Sequence, residues 1–287
     1  MRERVLITGK NGYIGNQLER YLVNFGYQVE RLDMKSLNWK NYDFTEFKVV
    51  IHLAALVHNN MPHASMLDYM NINYHKSLDL VEKAKAEGVQ QFIFFSTMSV
   101  YGEEGKLNKS VEISKDTPCR PETMYGKSKW LAEEKIKTFA NENFIVNIVR
   151  PPMIYGKNAP GNFLKLIKVA QLMPIFPKIN NKRSVLYIDG LCEHIKYLMH
   201  LRRNTITHPQ NQTYMQTNQA LWHIREAFGK KVKIIEMPIP TFVLNHLSQI
   251  RVINKIYGNL TYAMDIDGNL GEKQTKPFKQ TIRETVN

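Results

Sequence analysis

Cysteine is nearly absent from this chain. Only Cys119 and Cys192 occur, far apart, which excludes a disulfide framework and suits a reducing compartment. Long apolar runs are missing too, so no segment has the length to span a bilayer. Residues Met1 to Ile7 enter a strand pattern at once and lack the apolar stretch of a secretion signal, so a cytoplasmic setting is expected. His52, His58 and His63 do not form a compact ligand pair, and no metal site is expected from them. Internal repeats and low-complexity segments are also lacking.

Acidic residues are scarce in one half only. Residues 1–149 hold 19 Lys/Arg against 18 Asp/Glu, whereas residues 150–287 hold 20 against 8. A basic half attracts an anionic small molecule, an anionic membrane surface or nucleic acid. No nucleic-acid-binding motif accompanies the charge, so no nucleic-acid partner is expected.

Through residue 150, short apolar strands alternate with helix-length amphipathic stretches. That pattern predicts an α/β fold, a doubly wound parallel sheet with helices on both faces. Val5 to Ile7 reads as the first strand and Tyr13 to Phe25 as the helix after it. Val49 to Leu53 is apolar throughout, as in a strand covered on both faces. Met66 to Glu87 is the longest predicted helix and ends at Gly88. Met34 to Lys48 is too short for a full crossover and is expected to be irregular. After Arg150-Pro151-Pro152 the prolines at 160, 174 and 177 change the texture. The expectation is a dinucleotide-binding domain over 1–150 and a substrate-binding lobe over 151–287, with 185–203 returning to the sheet.

Gly9, Gly12 and Gly15 lie between the first strand and first helix. Glycines there permit a tight turn, close approach of backbone to a pyrophosphate, and close helix–strand packing. The helix start, at Tyr13 and Ile14, offers free N–H groups to phosphate. Asp33, eighteen positions after Gly15, ends the second strand, where a carboxylate accepts both hydroxyls of an adenosine ribose. It would repel a 2′-phosphate, so NAD(H) is favoured, with NADP(H) left open by the nearby Lys35. Tyr125 and Lys129 are four residues apart, on one helix face. The expected chemistry is a phenol whose pKa the ammonium lowers, exchanging a proton with a sugar oxygen.

The ordered series Thr8 to Gly15, His52-Leu-Ala-Ala55, Asn73, Ser96 to Gly102, Tyr125 to Lys129, Arg150 to Gly156 and Arg183 to Asp189 resembles the motifs of extended short-chain dehydrogenases acting on nucleotide sugars, the NAD-dependent epimerase/dehydratase family. The resemblance spans nearly the whole chain and implies a Rossmann fold. It assigns Thr97, Tyr125 and Lys129 as catalytic, and Leu53, Ala54, Ala55 and Asn73 to the cofactor. It gives Arg183 to a nucleotide diphosphate and the segment ending at Phe176 to a uracil. Met153 stands where many relatives carry asparagine, and Asn162 is the expected replacement. Lys76 stands where glycine is usual, and Gly190 where Asp or Asn is common.

The resemblance also implies a UDP-linked amino sugar as substrate and a homodimer through the helices at 66–87 and 125–140. Relatives that are 4,6-dehydratases carry Asp-Glu after the catalytic threonine; Met98-Ser99 here sets that reaction aside. Within the family the chain is most similar to bacterial capsule and O-antigen enzymes that reduce a UDP-2-acetamido-2,6-dideoxy-4-ketohexose, the UDP-N-acetylfucosamine-forming type. A UDP-sugar 4-epimerase with retained NAD is the alternative. A dinucleotide sensor without turnover is a third reading, disfavoured because both Tyr125 and Lys129 are present. An apolar stripe from Pro240 to Gly258, flanked by Arg251 and Lys255, is read as a packed helix, or else as a weak peripheral membrane contact.

Overall fold

The computed structural model describes residues 3–57, 63–231, 233–235, 248–268, 270 and 276–287. The short apolar runs at the centre of the sheet become strands because both their faces are covered, whereas the edge strand Gln28–Leu32 is polar and partly exposed. β1 (Arg4–Thr8), β2 (Gln28–Leu32), β3 (Val49–His52), β4 (Gln91–Phe95) and β6 (Ile145–Val149) form one parallel sheet with the short β10 (Thr205–Thr207). The order is β10-β6-β4-β3-β1-β2, so the chain reverses direction across the sheet between β1 and β3. A crevice therefore opens beyond the carboxyl ends of the central strands, the usual ligand position in such sheets.

Alternation within the strands sends side chains to two cores. Val5, Ile7, Val49 and Ile51 pack on one face with α1 (Tyr13–Asn24) and α6 (Ile188–Leu201). Leu6, Val50, Phe92 and Phe94 pack on the other with α3 (Lys76–Ala86) and α4 (Met124–Lys137). The predicted helix over 66–87 is present in three pieces: α2 (Met66–Tyr69), a π-helical turn (Met70–His75) and α3. Met34 to Lys48 is irregular apart from a 3₁₀ turn at Trp39–Asn41.

The remaining elements are short. β7 (Met153–Tyr155) pairs with β9 (Val185–Tyr187), so the strand within 185–203 joins that small sheet, and α6 packs against α1. Beyond Pro152 follow α5 (Asn162–Leu172), β8 (Ile175–Pro177), α7 (Thr217–Ala227) and β11 (Lys233–Ile235), which pairs with β8. α8 (Arg251–Tyr257), β12 (Thr261–Tyr262), which pairs with β5 (Glu112–Ile113), and α9 (Phe278–Val286) complete the chain. Residues 240–247 of the stripe read over Pro240 to Gly258 lie outside the described residues. In its described part Tyr257 is buried, and Ile253 and Ile256 pack on the core. No helix among the described residues is long and apolar enough to cross a membrane.

Candidate active site

The glycine loop closes on itself through Gly12 N–H donating to the Gly9 carbonyl, 3.0 Å. Gly9 sits at φ +85°, where other residues are strained, and a Cβ on it would meet Ala54 N at 3.3 Å. Gly15 has a different reason from the helix–strand packing expected. A Cβ there would fall 2.3 Å from Nη2 of Arg31, a β2 residue whose guanidinium lies beneath the loop. Arg31 donates to the Gly9 carbonyl (2.6 Å) and to Asn16 Oδ1 (3.0 Å), so a buried cation braces the turn. Sequence reading missed it, since one arginine in a strand carries no signal of its own.

The fit to a dinucleotide rests on what this loop leaves free. α1 starts at Gly12 with no side-chain cap and no acidic residue in its first turn. Its first N–H groups, at Tyr13 and Ile14, thus have no side-chain acceptor competing with a phosphate. The Tyr13 hydroxyl is buried without a hydrogen-bond partner, against Gly156. Asp33, at the end of β2, accepts from Lys35 N–H at 2.9 Å, and Gly9 N–H donates to the adjacent Leu32 carbonyl. These residues fit a dinucleotide.

Behind the loop runs a buried polar chain. Thr8 Oγ1 accepts from the N–H groups of Leu53 (3.1 Å) and Ala54 (3.2 Å) and lies 2.7 Å from Nδ1 of His52. His52 Nε2 lies 2.8 Å from Ser77 Oγ, which donates to the Asn73 carbonyl. Donor accounting then fixes the histidine as neutral with its proton on Nε2, Thr8 donating to Nδ1. Burial agrees, holding the imidazole pKa well below its ordinary value. His52 is thus a structural hydrogen-bonding residue, His63 is exposed, and His58 lies outside the described residues.

Asn73 sits in the π-helical turn, a local widening that often marks functional positions. Its Oδ1 accepts from Leu56 N–H (2.7 Å), and its Nδ2 donates to the Leu56 carbonyl and to Ser128 Oγ, both 3.0 Å. Ser128 donates in turn to the Tyr125 carbonyl, 2.9 Å. One chain of hydrogen bonds thus ties the ends of β1 and β3, through Leu53, Ala54 and Leu56 on either side of Ala55, to the helix that carries Tyr125. Lys76, the departure on this helix, donates to the Met34 carbonyl.

Thr123 caps α4 by accepting from Gly126 N–H at 3.0 Å, which places Tyr125 in the first turn. Gly126 is required there, because a Cβ would lie 2.6 Å from the Ser99 carbonyl. That close docking brings the Tyr125 phenol into hydrogen bonding with Thr97, at the carboxyl end of β4. Ser96, just before it, has a buried hydroxyl without a partner.

The electrostatics depart from expectation. Burial pushes the Tyr125 phenol up to about 12, partly offset by the Thr97 hydrogen bond. Lys129 does not figure among the groups that move the phenol's pKa. It is buried one turn on, its Nζ 3.8 Å from the centre of the Phe94 ring, and burial lowers its pKa to about 7 against the partial support of Glu133. Glu133 is held by Arg150, whose Nη2 is 2.6 Å from Oε2 in a buried pair. Arg150 also donates to the Tyr101 hydroxyl, which meets His208, itself paired with Asp267.

The residues expected to hold the substrate sit on different material. Asn162 is exposed at the first position of α5, after Gly161 at φ +103°. Phe176 is buried in β8. Arg183 is half-buried and donates to the carbonyls of Asn254 (3.2 Å) and Gly258 (2.9 Å), at the carboxyl end of α8. Among the described residues no group of His, Cys, Asp and Glu could hold a metal ion.

Comparison with known proteins follows the same lines. The family model described as NAD dependent epimerase/dehydratase family matches residues 5–210. The N-acetyl-alpha-D-glucosaminyl-diphospho-ditrans,octacis-undecaprenol 4-epimerase of Escherichia coli O157:H7 is 25% identical over 269 residues, covering 85% of this chain and 78% of its own. The UDP-glucose 4-epimerase of Vibrio cholerae is 25% identical over 321 residues, covering 100% and 95%. UDP-glucuronic acid 4-epimerase from Bacillus cereus, in complex with NAD, superposes with a TM-score of 0.73 at 19% identity, covering 99% of this chain and 95% of that one. RMD from Pseudomonas aeruginosa, complexed with NADPH, also reaches 0.73 at 17% identity, covering 99% and 98%.

Proposed function

Because the chain belongs to the NAD-dependent epimerase/dehydratase family, we propose that it is a nucleotide-sugar 4-ketoreductase of polysaccharide biosynthesis, reducing the C4 ketone of a UDP-2-acetamido-2,6-dideoxy-hexos-4-ulose. Residues 1–150 would hold the dinucleotide, NAD(H) in preference because of Asp33, and residues 151–287 mainly the sugar nucleotide. Asn162, Phe176 and Arg183 would bind the latter.

The observation that carries this reading is the placement of Tyr125, which the Thr123 cap and the close approach of Gly126 to Ser99 hold in hydrogen-bond contact with Thr97. A phenol pushed up to about 12 keeps its proton through the neutral range. Reduction of a ketone starts from that protonated form, and C4 inversion uses the phenol and the phenolate in turn. When bound, the nicotinamide supplies the hydride to the carbonyl carbon. Tyr125 gives its proton to the oxygen, and Thr97 hydrogen-bonds the same oxygen. Lys129 holds the cofactor ribose and carries a charge that varies near neutral pH.

Relatives named as 4-epimerases favour a second reading, reversible C4 inversion with retained NAD. In one of them the diphosphate is borne by undecaprenol, which opens the choice of carrier as well. The test is to denature the purified chain, measure released nicotinamide, and then add NADH and the UDP-4-keto sugar to native protein. An empty protein that oxidises NADH in step with ketone loss supports the reductase. Stoichiometric bound NAD, with UDP-sugars interconverting and no net oxidation, overturns it in favour of the epimerase.

A further inference from the structure

Between Glu142 and Asp189 the chain contains no Asp or Glu, and none occurs between Glu226 and Ile235. The structure brings these two stretches together at one tip. Leu164, Lys168 and Leu172 follow one another at four-residue spacing on the outer side of α5, and all three are exposed. Leu172 is 82% exposed, Met173 50% and Ile175 47%. Lys230 donates from Nζ to the Gln171 carbonyl, and Lys233 pairs with Ile175 across the β8–β11 ribbon. Lys231 is exposed between them. Leu37, which is 98% exposed, has no such setting, and scattered single apolar residues of that kind are ordinary. The tip is different: aliphatic side chains in a row, ringed by lysine.

We propose that this tip, built by α5, β8 and β11, docks on an anionic phospholipid surface. Leu164, Leu172 and Met173 would enter the boundary between headgroups and acyl chains, and Lys168, Lys230, Lys231 and Lys233 would face the headgroup phosphates. Aliphatic insertion combined with lysine attraction is the chemistry of an interfacial contact. A second copy of the chain fits poorly, because a two-fold contact sets each patch against its own image and brings lysine to lysine. Single-stranded nucleic acid fits poorly as well. It is gripped by exposed aromatic rings, and the aromatic residues of these elements, Phe163 and Phe176, are buried. The inference stands apart from the choice of reaction, since it concerns where the enzyme works.

The experiment is co-sedimentation of the full chain with vesicles of phosphatidylcholine alone or mixed with phosphatidylglycerol, at moderate salt. The mixed vesicles should carry the protein down and the neutral ones should leave it in solution. Leu164→Ser with Leu172→Ser should weaken partition by about tenfold or more. Lys168→Glu with Lys231→Glu should weaken it by roughly fivefold per residue. Both variants should keep the parent's thermal unfolding and dinucleotide binding, which separates loss of docking from loss of fold. A parent chain that stays in solution with mixed vesicles overturns the proposal, as does a serine variant that partitions like the parent. Self-association of the parent abolished by the serine pair reassigns the tip to a second copy. Because vesicle binding requires no turnover, it stands or falls independently of the ketoreductase reading.

Discussion

The two sides of the candidate site are made differently. On the dinucleotide side, strands of a six-stranded sheet end in side chains that satisfy one another. Thr8, His52, Ser77, Asn73 and Ser128 form an unbroken series of buried hydrogen bonds that reaches the Tyr125 carbonyl. On the sugar side, β8 is a strand of three residues, Asn162 is exposed, and the Arg183 guanidinium is anchored to backbone carbonyls at the end of a short helix. Reacting atoms must be held to fractions of an ångström, and a satisfied interior network does that. Substrate choice asks instead for a surface that can be altered without disturbing the sheet, and short elements on the outside provide it.

The comparison is broken most sharply by Tyr125→Phe. Removing one hydroxyl from the rigid side should lower kcat about a hundred- to ten-thousand-fold, the range for a lost general acid. Dinucleotide affinity, measured by fluorescence titration, should stay near that of the parent. If turnover survives, the proton comes from elsewhere, and the network that positions Tyr125 serves only stability. Next in size is Thr8→Val, which strands the N–H groups of Leu53 and Ala54 and alters the partner of His52. At about 1–3 kcal/mol for each buried group left unpaired, chemical denaturation should show a loss on the order of 3–5 kcal/mol. Dinucleotide binding should weaken with it, because Ala54 abuts Gly9.

Much of the rigid side was legible in the sequence, for a physical reason. A tight strand-to-helix turn needs glycine at particular backbone positions, and two side chains on one helix face stand one turn apart, so both leave spacings that can be read directly. The apolar run at 49–53 and the irregular stretch at 34–48 followed from burial and length. Arg31 and the Thr8–His52–Ser77 series were not legible, because their meaning lies in partners up to 44 residues apart. The π turn was hidden inside an ordinary helical period. The pull of Lys129 on the phenol was also misjudged: spacing puts the two on one face but says nothing of Phe94, which takes up the ammonium. On the sugar side Arg183 could be named from its motif, while its anchoring to the carboxyl end of α8 depended on the tertiary fold.

A milder test sharpens the contrast from the flexible side. Arg183→Lys keeps the charge but gives up the planar fork suited to a diphosphate. It should raise the KM for the sugar nucleotide about tenfold and leave kcat nearly unchanged, in steady-state assays at saturating dinucleotide. A fall in kcat of the same size would mean that the outer lobe also sets the reacting geometry, and the division drawn between the two sides would fail.

The smallest effect concerns stability and returns to the rigid side. Lys129 has a folded-state pKa of about 7 against an ordinary value of 10.5. Between those limits the unfolded chain carries a proton that the folded chain lacks, so this residue makes stability rise with pH across that window. Its burial is a cost at and below neutrality and disappears once both states are deprotonated. Lys129→Met fills the same space without a charge to desolvate. It should therefore melt a few degrees above the parent at about pH 7, and the gap should close as the pH approaches 10.5. Thermal unfolding of the two proteins side by side isolates the term, since all other titrating groups are shared. A variant less stable than the parent at neutral pH would show that the ammonium is a net support of the interior, through the ring of Phe94 and the carboxylate of Glu133. In that case the cradle would owe its rigidity to Lys129 rather than tolerate it.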